Sequence, residues 1–218
     1  RHLGIKELIP QEEVLTAITA LVRSGASICM QGSLGTGKTT TMSALFELLD
    51  DSLHIGIVED FFEQHIMQKY SSKRIVELKS LYNKSLEDAV KTILRLSVDV
   101  ADLGEVRSGE ALYSALQLIQ SVSMAAWFTA HVANPETTIP RFKNMLLGTG
   151  RYRTEQSAVA DIVNYVNLIF QHSIVDGRRM ITEIVEVVPM VSTSFDYDFN
   201  LDLSTDKELL EKLYFIQQ

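Results

Sequence analysis

The sequence predicts an α/β protein with a mostly parallel central sheet, helices on both of its faces and an antiparallel hairpin extension. Three observations carry that expectation. An apolar run at residues 27–30 passes through a glycine-rich loop straight into a helical pattern. Short apolar runs then alternate with amphipathic stretches to about residue 165, the pattern of β-α units stacked into a parallel sheet. Beyond that, runs at 166–174 and 178–188 flank Asp176-Gly177, a strong hairpin signal.

Each element has its own local reason. Residues 11–23 place Val14, Leu15, Ile18, Leu21 and Val22 on one helical face, and Ser24-Gly25 ends that helix before the first strand. Residues 40–49 carry Met42, Leu45, Leu48 and Leu49 at helical spacing; a turn at Asp50-Asp51-Ser52 leads to a second strand at 54–58, which closes on Glu59-Asp60. A weaker strand is expected at 74–78, and Ser85-Leu86-Glu87-Asp88 opens a helix to Leu96 in the manner of a capping box. Residues 98–103 form the next buried strand, closing on Gly104-Glu105, and 110–120 a helix with Leu112, Ala115, Leu116 and Ile119 as its stripe. A strand at 124–128 runs into Thr129-Ala130-His131, and helices follow at 135–147 and 156–163, punctuated by Gly148 and Gly150. The pattern is loose from 192 to 202, and 206–216 reads as a terminal helix. One domain spans 1–218: a lead-in helix (1–25), a core (26–165), the hairpin extension (166–190) and a tail with its helix (191–218).

Composition removes several classes of function. At 218 residues and 46% hydrophobic content the chain can bury a core, yet no apolar stretch approaches the ~18 residues a membrane span needs. A single cysteine, Cys29, excludes a disulfide framework and a four-cysteine zinc site. The net charge of −8 has the wrong sign for a broad nucleic-acid face. The chain begins at Arg1 rather than Met, and the expectation is that an N-terminal domain precedes it.

The chemistry centres on Gly32-Ser33-Leu34-Gly35-Thr36-Gly37-Lys38-Thr39, which fits the phosphate-loop pattern GxxxxGK[ST] at every fixed position. Such a loop turns its backbone N–H groups toward phosphate oxygens at a helix N-terminus. The expected nucleotide contacts are Gly32, Ser33, Leu34, Gly35, Thr36, Gly37, Lys38, Thr39 and Thr40, with Lys38 on the β/γ oxygens and Thr39 on Mg²⁺. Glu105 closes an apolar strand, placed to bind Mg²⁺ through water or to position an attacking water; Glu59 and Asp60 form a second acidic pair, with Glu63 one turn on. His131, just past a buried strand, could polarise a γ-phosphate, and by itself reads equally well as a packing residue.

Four boxes in this order resemble the ATPases of type II and type IV secretion systems, especially the branch serving Tad-type pili and conjugative transfer. Residues 32–39 look like that family's Walker A, Ile57-Val58-Glu59-Asp60-Phe61-Phe62-Glu63 like its Asp box, Gly104-Glu105-Val106-Arg107-Ser108-Gly109-Glu110-Ala111 like its Walker B and Thr129-Ala130-His131 like its His box. Asp176-Gly177-Arg178-Arg179, with Thr182-Glu183-Ile184 after it, also resembles that branch. The resemblance covers about residues 5–188 and implies a RecA-like P-loop ATPase domain. It implies Glu59 as catalytic carboxylate, Glu105 as the metal and water carboxylate, and His131 as γ-phosphate contact. Arg95, four residues before Asp99, matches an arginine that reaches a nucleotide or a neighbouring subunit, and Arg107 matches a structural one. The sequence departs from the family pattern at Asp102, where an apolar residue is usual, at Ser108, where Gly is common, and in its approach to the His box, Val122-Ser123-Met124-Ala125-Ala126-Trp127.

The implied function is an ATP-hydrolysing motor that uses ATP and Mg²⁺, works as a homo-hexamer and sits in the cytoplasm against an inner-membrane component of a secretion or pilus machine. Two other readings stay open: a conjugative DNA-transfer ATPase, and a nucleotide-gated assembly scaffold with little hydrolysis. A GTPase is disfavoured because Asn83-Lys84-Ser85-Leu86 lacks the Asp of a guanine-reading NKxD.

Overall fold

The computed structural model describes residues 3–59, 66–79 and 86–188. Asp60, Phe61, Phe62 and Glu63 of the second acidic box, Asn83 to Ser85, and the expected helix at 206–216 lie outside the described residues. The strands are β1 (Ile28–Gly32), β2 (His54–Glu59), β3 (Arg74–Lys79), β4 (Val100–Val106), β5 (Ala125–Ala130), β6 (Leu168–Val175) and β7 (Arg178–Glu186). They form one seven-stranded sheet in the order β3-β2-β4-β5-β1-β6-β7. The helices are α1 (Ile5–Leu8), α2 (Glu12–Arg23), α3 (Lys38–Leu45), α4 (Ile66–Lys69), α5 (Leu86–Arg95), α6 (Gly109–Ser121), α7 (Thr138–Gly148) and α8 (Glu155–Tyr165), with 3-10 turns at Phe46–Leu48 and Pro135–Thr137.

Period-two alternation assigns the strand side chains to two cores. Ile28, Met30, Ile55, Ile57, Val100, Trp127, Leu168 and Phe170 join α1, α2, α3 and α4 on one face of the sheet. Cys29, Val58, Ala101, Leu103, Ala126, Phe128 and Ile169 join α5, α6, α7 and α8 on the other. Burial on both faces explains why the central strands read as unbroken apolar runs. Trp127 is fully buried against Phe46, ring centroids 5.2 Å apart, and its indole N–H donates to Ala26 O at 3.0 Å.

The mostly parallel sheet, the two helical layers and the antiparallel hairpin agree with the expected fold. The antiparallel part is narrower than the hairpin itself. β6 runs parallel to β1 from Ile28↔Leu168 to Gly32↔His172, so among the described strands only β7 is antiparallel. The turn between them puts Asp176 at φ +50° and Gly177 at +76°, as a two-residue Asp-Gly hairpin requires.

β4 starts at Val100 and runs to Val106, where the sequence points to residues 98–103. Asp102, fully buried, accepts a hydrogen bond from Gly104 N at 2.8 Å; the register against β5 slips between Asp102 and Glu105, and the strand resumes with Glu105↔Thr129 and Val106↔Ala130. This is a β-bulge, with Gly104 at φ +60°. It places Glu105 within the strand, re-aimed at its C-terminal end.

Candidate active site

All the parallel strands point their C-terminal ends to one edge, where ligands bind in open α/β sheets. β1 delivers the glycine-rich loop 32–39 there. At Gly32 the φ is +143°, and an added Cβ would stand 2.2 Å from His172 O on the neighbouring β6, so the loop leaves the strand where only glycine fits. Thr36 Oγ1 donates to Ser33 O at 2.9 Å and braces the loop from within, while Leu34 stands at its tip, 84% exposed. Gly37, at φ +96°, caps α3, whose first residue is Lys38.

Lys38 is buried, and its ammonium donates to Gly32 O at 3.0 Å and to Ser33 O at 2.8 Å. Burial lowers its pKa from the ordinary lysine value, with the charge of Glu105 pulling the other way. His131 Nδ1 lies 3.4 Å from Lys38 Nζ and 3.2 Å from Gly32 O; the tautomer decides whether it accepts from the ammonium or donates to the carbonyl. Its other nitrogen, Nε2, stands 2.8 Å from Glu105 Oε1. That contact is close but poorly directed, for the buried Oε1 has no aligned hydrogen-bond partner. Glu105 Oε2 accepts from Arg107 at 2.6 Å, which, with His131 and Lys38, holds the carboxyl below its usual pKa despite its partial burial. Lysine, imidazole, carboxylate and guanidinium thus form one chain of contacts across the ends of β1, β5 and β4.

Glu59 ends β2 with 7% exposure, beside the bulge, where a Cβ on Gly104 would lie 3.6 Å from Glu59 Cγ. It is one strand beyond Glu105 on the same edge. Arg95 is elsewhere. It ends α5, just before β4 begins, and is exposed at the opposite edge of the sheet, where Asp99 accepts from His54 N at 2.8 Å and Ser123 Oγ at 2.7 Å. The length of β4, roughly 20 Å, separates Arg95 from the loop of its own chain.

Among the described residues no three His, Cys, Asp or Glu side chains gather as a metal cluster. A divalent ion would therefore take most of its ligands from phosphate and water, as Mg²⁺ does in phosphate sites. The orphaned Glu105 Oε1 and the Thr39 hydroxyl at the start of α3 are groups of the kind that fit it. Cys29 is fully buried and its thiol pKa is pushed up, so it takes no part in chemistry.

Sequence reasoning passed over the far wall of the site. A cavity of about 330 Å³ opens between the loop tip and α7, lined by Leu34, Glu105, Arg107, His131, Arg141 and Met145. An arginine on an exposed helix face carries no local signal, and only the packing of α7 beside β5 brings Arg141 here. No described helix is long and apolar enough to cross a membrane.

A family model described as type II/IV secretion system protein matches residues 2–176. An uncharacterised protein of Methanocaldococcus jannaschii is 28% identical over 191 residues, 85% of this chain and 68% of that protein. Competence protein ComGA of Halalkalibacterium halodurans is 31% identical over 131 residues, 59% of this chain and 36% of that protein. Among solved structures, the VirB11 ATPase of the Brucella suis type IV secretion system, in complex with sulphate, superposes with a TM-score of 0.72 at 20% identity, over 84% of this chain and 54% of that one. The pilus retraction motor PilT with bound ADP gives 0.66 at 18% identity, over 100% of this chain and 60% of that one. At these identities the superpositions establish the fold. The chain spans little more than half the length of these solved structures.

Proposed function

The chain belongs to the type II/IV secretion system protein family, and on that premise we propose that it is an ATP-hydrolysing motor domain of a secretion or pilus-assembly system. The observation that carries the reading is the contact chain Lys38–His131–Glu105, which links the phosphate loop to a strand-end carboxylate through one imidazole. Phosphoryl transfer to water asks little covalent chemistry of a protein; it asks for positioning and for charge set against the developing γ-phosphate. The loop amides and Lys38 hold the β and γ oxygens. His131, between loop and carboxylate, registers whether a γ-phosphate is present. Glu105 orients the attacking water, steadied by Arg107, and Glu59, at the next strand end, accepts its proton. Thr39 and, through water, Glu105 are the residues that would hold Mg²⁺, which when bound would supply positive charge against the phosphates.

The rest of the reading is supported by the sequence boxes and by the likeness to VirB11, an ATPase, and PilT, a pilus retraction motor. The chain works as a homo-hexamer that couples hydrolysis to subunit movement, in the cytoplasm against an inner-membrane partner. Arg95, far from its own loop, serves a neighbouring subunit in that ring. The Tad-type and conjugative branch is supported by the boxes alone, and the net charge of −8 argues against DNA as the cargo.

Three variants test the proposal. Lys38→Ala should lose ATP binding with its fold intact, because the ammonium is a phosphate contact rather than a core group. Glu105→Gln and Glu59→Gln should keep ATP binding and lose turnover by roughly 10²-fold or more. Nucleotide titration and phosphate release read both. Tight ATP binding by the parent with no phosphate release would instead support the nucleotide-gated scaffold.

A further inference from the structure

The cradle has a direction, and one of its two ends is still unassigned. Glu105 and His131 mark the terminal-phosphate end, and both lie on the β4 and β5 side of β1. A nucleotide held by the loop with its γ-phosphate there must lead its nucleoside toward the other side, over β6 and β7. Two strand spacings, ~10 Å, separate β1 from β7, which is about the span of a phosphate chain.

Arg179 stands at that end. It lies on β7 opposite Ile174 of β6, and alternation puts it on the same face as Ile181, which is buried in the core beneath α3. Its stem reaches the loop: a Cβ built on Gly37, the cap of α3, would lie 3.7 Å from both Arg179 Cβ and Arg179 Cδ. The side chain is exposed and makes no hydrogen bond or ion pair with any described residue. Arg178, next to it, faces the opposite side of the strand. An uncommitted planar guanidinium laid along a phosphate-binding helix cap suits bidentate contact with phosphate or sugar oxygens.

We propose that Arg179 is the nucleoside-end contact of the site, taking the α-phosphate and sugar while Lys38 takes the β and γ oxygens. The assignment rests on the reading of the loop as an ATP site, and it makes the antiparallel strand β7 part of nucleotide recognition. An arginine at the α-phosphate meets ADP and ATP alike, whereas an arginine at the γ-phosphate would favour ATP.

Calorimetric titration of ADP, ATP and inorganic pyrophosphate, each with Mg²⁺, into the parent, Arg179→Ala, Arg179→Lys and Arg178→Ala tests it. Because Arg179 is exposed, Arg179→Ala should melt with the parent. It should bind ADP and ATP about tenfold more weakly, by the same factor, and pyrophosphate unchanged. Arg179→Lys should recover only part of the loss, and Arg178→Ala should match the parent. Unchanged ADP affinity in Arg179→Ala, or a loss confined to ATP, overturns the assignment and leaves the ATP site standing. A parent that binds neither ADP nor pyrophosphate overturns both.

Discussion

His172 shows how one buried side chain supports the loop without touching phosphate. It pairs with Gly32 across β6 and β1, its Nε2 is 3.0 Å from Thr41 Oγ1 on α3, and its Nδ1 is 3.3 Å from Phe170 O. With Nδ1–H donating to that carbonyl, Nε2 is left to accept from the threonine, so the neutral ring is satisfied on both sides. Burial pushes its pKa down to about 4, and the Lys38 ammonium adds to the shift while bonds to backbone carbonyls oppose it. The folded value lies below the unfolded one, so the unfolded chain takes up the proton first as the solution is acidified. This contribution to stability is therefore complete above about pH 6.5 and is lost as pH falls toward about 4, with a total of about 3 kcal/mol. His172→Asn should remove that part of the acid sensitivity. Urea unfolding of parent and variant at pH 7, 5.5 and 4.5 reads the difference in slope, and parallel slopes would take His172 out of the account.

At the scale of elements, the bulge in β4 connects an odd residue choice to the site. Asp102 stands fully buried within a strand, and an unpaired carboxylate there would be costly. Its Oδ1 accepts from Gly104 N, and the register slip that follows turns Glu105 toward His131. Asp102→Ala should leave the Gly104 N–H without its acceptor at a cost of about 1–3 kcal/mol. It should also lower turnover by roughly 10²-fold through misplacement of Glu105. Thermal melting and phosphate release on one preparation check it; parental turnover in a destabilised variant would limit Asp102 to a structural role. The same strand marks what the sequence could not disclose. Of the run expected at 98–103, residues 100–103 are buried strand while Val98 and Asp99 precede it; a bulge breaks the two-residue period, so the continuation to Val106 has no pattern to find. The hairpin was legible because Asp-Gly is a local turn signal, whereas the parallel pairing of β6 with β1 is a contact between segments far apart in the chain. α1 and α4, four residues each, are too short to show a helical period.

Over the whole molecule, motif reading singled out the glycine-rich loop, Glu105 and His131, since each lies at a strand end where residue type alone is informative, and the structure brings the three together at one edge. Motif reading could not say that β5 lies between β1 and β4, which is why His131 spans from Lys38 to Glu105. Nor could it say that Arg95 is at the far edge of the sheet while Arg179 reaches Gly37. Strand order decides which distant residues become neighbours, and no local pattern encodes it. Among the described residues the arrangement is open on one side. Leu34 at the loop tip is 84% exposed, and the 330 Å³ cavity beside Glu105 has Arg141 and Arg107 on its walls but no lid among the described residues. A site that must exclude water and surround a developing charge would, in the proposed hexamer, be completed by a neighbouring subunit, and charge delivered from outside can raise turnover by 10³-fold or more. Turnover per chain should therefore rise with protein concentration, by at least about tenfold, in step with the conversion of the 24.5 kDa chain to larger species. Sedimentation velocity and phosphate release on one dilution series would show the two curves together. Constant turnover per chain from a species that stays at 24.5 kDa would place the complete site within one subunit and remove the hexameric step from the mechanism.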